Sequence, residues 1–379
     1  MKIAQPASSF LSPLDPLPLP RILVVSYYGH AASTRPEAEI YLSLKKLGYD
    51  ITVITHGESE YVTRFRESGI KVLFGHPVKR RDEEGTAIIR NELLAHDYDV
   101  LMLYNSRSIA NGVRAAKGLP VKVAVYRGCA ADVNWYDPFN YLKILNPRVD
   151  AILCNNVGVQ RHIQANKFGQ DITTVVNKGH DLAWYEGIEP IDKTTIGVPA
   201  DAPMLICVAN ASKFKGVPYL LAAMGQIDPT LNVHLVLCGR RMDTEEHRTL
   251  AKASGYPERI IYPGFRDDVY RLVAAADVKV LPSVRGESLT KAAVEAMSLG
   301  TTLLLTDLPG NEELVTHGES GWKVPPRDSK ALAVAIEKLV QDSSLRQNLA
   351  AAALQRLAGP LSHKTTVENM DAFFSGMTT

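Results

Sequence analysis

Short, almost continuously apolar runs alternate along the chain with longer segments in which apolar residues recur at helical spacing. Strands of a parallel sheet are covered by helices on both faces, so uninterrupted runs rich in Val, Ile and Leu predict parallel strands. The alternation predicts an α/β fold with two doubly wound, Rossmann-like parallel-sheet domains. We expect strands in two series, at residues 22–26, 51–55, 71–74, 99–104, 121–126, 151–155 and 173–177, and at 204–209, 232–238, 259–263, 277–282 and 301–306.

The helical segments fall between these runs, and one more follows the last of them. A less hydrophobic stretch with three prolines, at 187–203, separates the two series and predicts a linker. The predicted first domain therefore covers 21–186 and the second covers 204–358. We expect helices at residues 34–48, 86–96, 108–117, 137–145 and 157–166, then at 216–226, 244–254, 267–275, 289–299, 328–341, 344–357 and 363–375.

Both ends of the chain lie outside these two domains. The first twenty residues contain five prolines and lack the apolar segment of a secretory signal, which predicts a flexible leader over 1–20. Gly359 and Pro360 end the preceding helix, and the segment 359–379 carries a last helix with no strand after it. We expect this helix to dock, with the first domain as the candidate surface.

The composition limits the classes of molecule that the protein is expected to bind. The chain has 379 residues, with 42 Lys and Arg against 41 Asp and Glu and a formal net charge of +1. Nucleic-acid-binding domains usually carry a basic excess, so bulk charge argues against that class and leaves room for a local site for one small anion. The four cysteines form no C-x-x-C pair, which favours free thiols in a reducing, cytoplasmic compartment. No apolar stretch reaches 18 residues, so we expect no membrane span.

The segment 281–306 carries the clearest chemical signal. It places a strand, a Pro-Ser turn and a glycine before a helix and a further strand, with Glu287 and Glu295 eight residues apart. A helix beginning near Ser288 would point its N–H groups and the positive end of its dipole at the turn, which suits a phosphate or diphosphate. Glu295, about two turns along the helix, is then placed to accept hydrogen bonds from a sugar diol. Two solvated helix glutamates are the alternative interpretation.

A second segment supports an anion site. Lys213, Lys215 and Gly216 lie in the loop after the first strand of the second domain, just before an amphipathic helix. A lysine in this loop reaches a diphosphate bound at the carboxyl edge of the sheet, as a point charge. The alternative is a pair of ordinary surface lysines.

Together these segments resemble the retaining glycosyltransferases of the GT-B fold, specifically glycosyltransferase family 4. ESLTKAAVE, from Glu287 to Glu295, is similar to the E-x7-E motif of that family, and FKG at 214–216 is similar to its lysine loop. Residues 307–336 resemble its G-x-x-E-L-V…V-P-P-x-D segment. The resemblance is continuous over 204–355 and looser over the first domain, and it implies two Rossmann-like domains that face a cleft.

The resemblance also implies roles for individual residues. A sugar would pass from a nucleotide-diphosphate-sugar donor to a glycan or lipid-linked acceptor, with retention at the anomeric carbon and with no metal ion or other cofactor. Lys215 would pair with the diphosphate beside Lys213, and Glu295 would hold the nucleotide ribose. Glu287 would face the transferred sugar, as a nucleophile or as a positioning group. The backbone expected to approach the phosphates is that of Ser288, Leu289 and Thr290.

The first half departs from the family pattern in two places. Gly29 stands alone where paired glycines usually contact the donor phosphates, and Arg127 stands where a histidine commonly follows a strand. We keep Gly29 as a donor-contact candidate. Arginines in the strand-end loops suggest an acidic acceptor, although scattered surface arginines are the alternative. The acceptor-site candidates are Arg127, Arg107, Arg35 and His30.

Other signals carry less weight. Asp97 and Asp99 match the D-x-D metal motif but precede a strand, at the wrong edge of the sheet for a cleft. The basic run at 76–81 is followed at once by three acidic residues, which predicts a solvated, self-neutralised turn rather than a membrane-docking patch. The mildly amphipathic, basic segment 157–168 leaves open a peripheral contact with the inner face of a membrane. No dinucleotide fingerprint, P-loop or nucleophile elbow occurs.

The sequence therefore predicts a retaining, metal-independent glycosyltransferase that acts in cell-surface polysaccharide or lipopolysaccharide assembly. A GT-B-type nucleotide-sugar epimerase and a catalytically silent sugar-nucleotide-binding protein are the alternatives. The base and sugar of the donor, the acceptor, the linkage and the oligomeric state are left open.

Overall fold

Two parallel sheets organise the protein, in a computed structural model that describes residues 18–29, 31–129, 133–166 and 172–378. The first sheet has seven strands in the order β3-β2-β1-β4-β5-β6-β7, and every neighbouring pair is parallel. Both faces of this sheet are buried, which explains why its strands are apolar at successive positions. Its strands are β1 (Arg21–Val25), β2 (Asp50–Thr55), β3 (Lys71–Phe74), β4 (Val100–Leu103), β5 (Lys122–Arg127), β6 (Ala151–Cys154) and β7 (Thr173–Val175).

The second sheet has six strands in the order β10-β9-β8-β11-β12-β13, again all parallel. It too is covered on both faces by buried aliphatic side chains. The prediction of two doubly wound α/β sheets is therefore confirmed. Its strands are β8 (Met204–Val208), β9 (His234–Cys238), β10 (Ile260–Gly264), β11 (Val278–Leu281), β12 (Thr302–Thr306) and β13 (Trp322–Val324).

Nine of the twelve α-helices described connect strands, as parallel pairing requires, and the last three follow the final strand. Those of the first domain are α1 (Ala31–Lys46), α2 (Glu60–Glu67), α3 (Glu83–Ala95), α4 (Ser106–Ala115) and α5 (Val157–Ala165). The later ones are α6 (Val217–Met224), α7 (Glu245–Ala253), α8 (Val269–Ala275), α9 (Lys291–Ser298), α10 (Ser329–Gln341), α11 (Ser343–Ala358) and α12 (His363–Gly376).

Three local predictions differ from the structure. The helix expected at 137–145 is only a short 3₁₀ turn, Pro138–Leu142, whose aromatic and aliphatic side chains are largely exposed. The helix α2 was not predicted, because only three of its eight residues are buried and its other positions are polar. The strand β13 was missed since three residues are too few to show a pattern. The leader expected over 1–20 falls mostly outside the described residues.

The last helix packs on the first domain, beside α1. Met370, Phe373 and Phe374 of α12 are buried in the core cluster that lies on one face of the first sheet. The hydroxyl of Tyr49 donates a hydrogen bond of 2.6 Å to the Asp371 carboxylate, which fixes the turn after α1 to α12. The chain therefore crosses between the domains twice, once after β7 and once after α11.

The two crossings are hydrogen-bonded to each other. The His180 N–H donates to the Leu361 carbonyl (3.2 Å), and the His363 N–H donates to the His180 carbonyl (3.0 Å). The buried Thr366 hydroxyl accepts from the Gly179 N–H and lies 2.9 Å from the Asn177 carbonyl. A Cβ at Gly179 would overlap the carbonyl groups of 361 and 362, so only glycine allows this approach. The limits of the linker and domains stay predictions.

Candidate functional site

The lysine loop of the second domain rests directly on the end of β11. Lys213–Lys215 forms a 3₁₀ turn after β8, and Gly216 follows it with φ +67°, a left-handed conformation that favours glycine. A Cβ on Gly216 would overlap the carbonyl oxygen of Pro282. The Phe214 carbonyl also accepts a 2.8 Å hydrogen bond from the Val284 N–H. The turn therefore holds Lys215 against the segment that carries Glu287.

Glu287 and Lys215 form an ion pair of 2.8 Å, and the Glu287 side chain is only 7% exposed. Its second carboxylate oxygen accepts a 2.6 Å hydrogen bond from the Thr290 hydroxyl, and the Ser283 hydroxyl donates to the first. Three donors thus hold one nearly buried carboxylate, which compensates the cost of removing it from water. The structure brings together Lys215 and Glu287, 72 residues apart.

The helix after this carboxylate begins later than predicted. Residues 288–290 form an extended lead-in, and α9 begins at Lys291 with Thr290 as its N-cap. The helix start near Ser288 was therefore wrong by three residues. The Thr290 hydroxyl makes no capping bond because it contacts Glu287 and the Ser288 carbonyl instead. Without that cap, the first-turn N–H groups at the positive end of the helix dipole are suited to an anion.

Glu295 has its own set of partners further along α9. Its carboxylate accepts a 2.8 Å hydrogen bond from the Tyr270 hydroxyl and pairs with Lys291 at 2.6 Å. The Tyr270 ring meets the Tyr185 ring edge-to-face at 5.5 Å. Burial and the neighbouring Glu295 carboxylate raise the pKa of Tyr270, so the phenol keeps its proton as a donor. Neither tyrosine could be anticipated, since both lie far from the motif along the chain.

A glycine from the loop after β12 completes the surroundings of Glu287. A Cβ on Gly310 would overlap the backbone of Glu287 and Ser288, so the 309–311 turn packs on that backbone at the closest approach glycine allows. This glycine belongs to the segment that resembles the family motif, but its position against Glu287 could not be inferred from spacing. Pro282, Glu287 and their neighbours are thus held on two sides by glycine contacts.

The first domain reaches this site through the end of β6. The Asn155 amide donates a 3.3 Å hydrogen bond to the Ser288 hydroxyl. The Glu313 carboxylate accepts a 2.8 Å bond from the Val157 N–H, where α5 begins. These contacts place the carboxyl edge of the first sheet opposite Glu287. Neither Asn155 nor Glu313 was predicted as an interdomain residue.

The predicted acceptor residues lie in three different surroundings. Arg35 lies 5.8 Å from the Trp184 ring, and Arg127 ends β5 beside Cys154 of β6. Arg107, in the first turn of α4, lines a separate cavity. Gly29 lies against the Tyr27 phenol, which a Cβ at this position would overlap. His30 lies outside the described residues.

Two buried lysines had no place in the sequence prediction. Lys178, after β7, pairs with Glu37 at 2.7 Å and lies 4.0 Å above the Tyr126 ring, at the carboxyl edge of the first sheet. Lys279, in β11, is 1% exposed, and burial lowers its pKa to about 8. Its nearest charged neighbours include Glu295 and Lys215. The charge of Lys178 is balanced by Glu37, and burial favours the neutral form of Lys279.

The D-x-D match lies at the opposite edge of the first sheet. The Asp99 carboxylate accepts a 2.7 Å hydrogen bond from the Arg21 N–H, and the Asp97 carbonyl accepts from the Arg21 guanidinium at 3.2 Å. Over the residues described, no group of three or more His, Cys, Asp or Glu side chains is arranged to hold a metal ion. None of the helices described is long and apolar enough to cross a membrane.

Similar proteins agree with this architecture. Residues 189–356 match the family described as glycosyl transferases group 1. The lipopolysaccharide core biosynthesis glycosyltransferase LpsE of Rhizobium meliloti is 27% identical over 219 residues, 58% of this chain and 62% of that protein. The phosphatidyl-myo-inositol mannosyltransferase of Mycobacterium leprae is 36% identical over 141 residues, 36% of this chain and 37% of that protein. Both alignments span less than two thirds of the relative.

Solved structures match over nearly the whole chain. Anabaena Alr3699/HepE in complex with UDP superposes with a TM-score of 0.79 at 20% identity and covers 94% of this chain and 100% of that one. WaaG, a glycosyltransferase involved in lipopolysaccharide biosynthesis, gives 0.65 at 16% identity and covers 94% and 99%. At these identities the likeness establishes the fold. The second domain of this chain is therefore similar to the glycosyl transferases group 1 family, and the two domains together form the GT-B fold.

Proposed function

We propose that the protein is a retaining glycosyltransferase that moves a sugar from a nucleotide-diphosphate-sugar donor to a glycan or glycolipid acceptor. The observation that carries this proposal is the Lys215–Glu287 pair at the start of α9, held by glycine contacts on both sides. It joins a cation, a carboxylate and a helix N-terminus in one place, which is what a negatively charged leaving group and a sugar require. The family of the second domain supports the same reaction.

In this proposal, one set of residues stabilises the leaving group and another set positions the transferred sugar. The bond between the anomeric carbon and the diphosphate oxygen breaks while the acceptor hydroxyl oxygen bonds to that carbon, and the hydroxyl proton passes to the departing diphosphate. Lys215 and the N–H groups at the start of α9 stabilise the charge that develops on the diphosphate. Glu287 positions the transferred sugar, and Glu295 holds the ribose hydroxyls. Since these groups supply the positive charge that the diphosphate requires, we propose that the reaction needs no metal ion.

The acceptor assignment rests on the relatives. LpsE and LpsD of Rhizobium meliloti are lipopolysaccharide core biosynthesis glycosyltransferases, and the chain aligns with 62% and 61% of their lengths. We therefore place the reaction in lipopolysaccharide or polysaccharide assembly, at or near the inner face of a membrane. The Anabaena protein has been solved with UDP-glucose, so UDP-sugars are the first donors to test.

The test is nucleotide release from a panel of UDP-, GDP- and ADP-sugars, with and without saccharide acceptors, in the presence of EDTA. We expect acceptor-dependent release of a nucleoside diphosphate and a product with the donor's anomeric configuration by NMR. Lys215→Ala should lower turnover at least a hundredfold because the leaving-group charge loses its cation. Lys252→Ala, an exposed lysine of α7, is the matched control and should leave turnover unchanged.

Each competing function has a distinct outcome in the same assay. Conversion of the donor to its epimer without an acceptor would indicate a nucleotide-sugar epimerase. Donor binding without any turnover would indicate a silent sugar-nucleotide-binding protein. Full activity of Lys215→Ala would overturn the assignment of the site, and loss of activity in EDTA that Mg²⁺ or Mn²⁺ restores would overturn metal independence.

A further inference from the structure

A cavity of about 510 Å³ opens at the carboxyl edge of the first sheet, apart from Glu287 and Lys215. Four successive strand ends contribute to its wall, from β1, β2, β3 and β4. Ligands of open parallel sheets bind at this edge, and small-molecule sites are concave and carry a few placed polar groups. The lining residues are Tyr27, His56, His76, Val78, Asn105, Ser106 and Arg107.

The lining carries positive charge and no carboxylate. Arg107 is exposed, and over the part of the chain that the structure describes its guanidinium makes no ion pair. His76 is neutral. The Asn105 carbonyl oxygen accepts from the N–H groups of Arg107 and Ser108, so its NH₂ group must donate to His76 Nε2 at 2.9 Å. Burial lowers the pKa of His76 to about 4, in agreement with that bond.

Two more cations follow one of the lining residues directly along the chain. Val78 leads directly into Lys79 and Arg80, both exposed, and the Lys79 carbonyl is held by the Asn111 amide at 2.9 Å. The predicted self-neutralised turn is confirmed for Arg81, which pairs with the adjacent Glu83. The Asp82 carboxylate accepts from the N–H groups of Val78 and Gly85 as the N-cap of α3.

The next acidic residue along the chain, Glu83, is also bonded to other groups. The Glu83 carboxylate pairs with Arg81 and with Arg114 of α4. Across the described ranges, no carboxylate lies within ion-pair distance of Lys79 or Arg80. Arg107 in the lining, and Lys79 and Arg80 directly after the lining residue Val78, thus have no ion-pair partner among the described residues, and this favours an anionic ligand.

The floor of the cavity offers a surface for a sugar ring. The Tyr27 side chain is 39% exposed, and its ring lies 6.4 Å from the His56 ring and 6.1 Å from the His76 ring. An exposed aromatic ring beside hydrogen-bonding groups provides an apolar face and polar edges, which matches the two kinds of surface on a saccharide. Gly29 allows the phenol to lie close over the backbone, because a Cβ there would displace it.

We propose that this cavity binds a phosphate or carboxylate carried on the acceptor saccharide, with Arg107, Lys79 and Arg80 as its cations and Tyr27 under the sugar ring. The proposal rests on the proposed function, since it names the chemical class of that function's acceptor. A phosphate of a lipid headgroup presents the same chemistry, and the experiment separates the two sources.

The experiment titrates the intact protein with mannose 6-phosphate, glucuronic acid and glucose, followed by ligand-observed NMR. We expect the two anionic sugars to bind and glucose to bind at least tenfold more weakly. Arg107→Ala should weaken binding of the anionic sugars at least tenfold, and Arg107→Lys should restore part of it because the charge returns. Arg114→Ala is the matched control on the same helix, since that arginine already pairs with Glu83.

Three outcomes would overturn the inference. One is equal binding of the anionic sugars by the wild type and Arg107→Ala. The second is equal binding of glucose and the anionic sugars. The third is binding to vesicles of anionic phospholipid, lost in Lys79→Ala/Arg80→Ala, with no binding of the soluble anions, which would assign the cations to a headgroup. Binding of nucleotide-sugars should be unchanged in Arg107→Ala, so a failure here is distinguishable from a failure of the proposed function.

Discussion

The proposed donor site of the second domain and the cavity of the first domain both lie at the carboxyl edges of parallel sheets, yet they are built in opposite ways. Most of the donor site comes from one contiguous segment, 281–306, with Lys215 added from a neighbouring loop. The cavity takes between one and three residues from each of four strand ends, spread over 27–107. The positive charge near the cavity depends on the fact that the nearby acidic residues, Asp82 and Glu83, are already bonded to other groups.

This difference decides what a sequence reveals. In a contiguous site the spacing of residues fixes their geometry, so Glu287 and Glu295 are recognisable as a pair from their separation along the chain. In a dispersed site the spacing carries no information, and Tyr27 and Arg107 become neighbours only through the strand order. Substitutions can test whether the donor site is as rigid, and the cavity as separate, as the contacts indicate.

The largest effect is expected from Gly310→Ala. The new methyl group overlaps the backbone of Glu287 and Ser288, so the carboxylate and the start of α9 must shift. We expect turnover with the best nucleotide-sugar to fall at least a hundredfold, because a displacement of about 1 Å at a reacting centre costs that much. Steady-state kinetics measures it. Gly376→Ala, where a methyl group meets open space, is the control, and equal activity of both variants would contradict the tight approach.

A second effect concerns acid stability and singles out the first domain. His76 is buried with its pKa lowered to about 4, so the folded protein keeps it neutral while the unfolded chain takes up a proton below about pH 6.5. The stability contribution is complete at neutral pH and falls as the pH drops from 6.5 towards 4, reaching a loss of about 2 kcal/mol at pH 5. Urea unfolding at pH 7 and pH 5 measures it.

The variant His76→Gln should reduce this dependence, although its stability at pH 7 will be lower because a buried contact changes. His56→Gln, at the exposed side of the same cavity, is the control and should keep the wild-type difference between the two pH values. An unchanged pH dependence in His76→Gln would show that another group is responsible, with His180, whose pKa burial lowers to about 3, as the next candidate.

The smallest effect compares two adjacent glutamates that both reach α5 from the second domain. Glu313 accepts from the Val157 N–H at the start of the helix, whereas Glu312 pairs with Arg161, whose side chain is 65% exposed. We expect Glu313→Ala to lower the free energy of unfolding by about 1 kcal/mol, as the loss of a cap does. Glu312→Ala should cost less than about 0.5 kcal/mol. Calorimetry that finds the reverse order would refute the interdomain cap.

Much of the fold could be predicted because both sheets are buried on two faces. Runs such as ILVV in β1 and LLLT in β12 are apolar at nearly every position, a pattern that few other structures produce. The misses share a physical cause. The helix α2 buries only Tyr61, Val62 and Phe65, and β13 is three residues long, so neither leaves a pattern that a window can detect.

The charged residues of the candidate site were predicted from the sequence, whereas the residues that hold them in place were not. Lys215 and Glu287 stand in recognisable motifs, but Gly310, Asn155 and Tyr270 act through contacts between distant segments. The basic turn at 76–81 was predicted in part. Adjacent acids in the sequence suggested neutralisation, and Arg81 does pair with Glu83, but the Asp82 carboxylate is engaged by backbone N–H groups.

The hydrogen bonds between the two interdomain crossings have a consequence for motion. Because the two crossings are hydrogen-bonded to each other at His180, Leu361 and His363, they lie side by side and form one hinge between the domains. Movement at this hinge changes the separation of Asn155 and Ser288 but leaves α12 on the first domain. The last helix thus gives the hinge a second covalent connection, and the two domains open and close about the place where both connections meet.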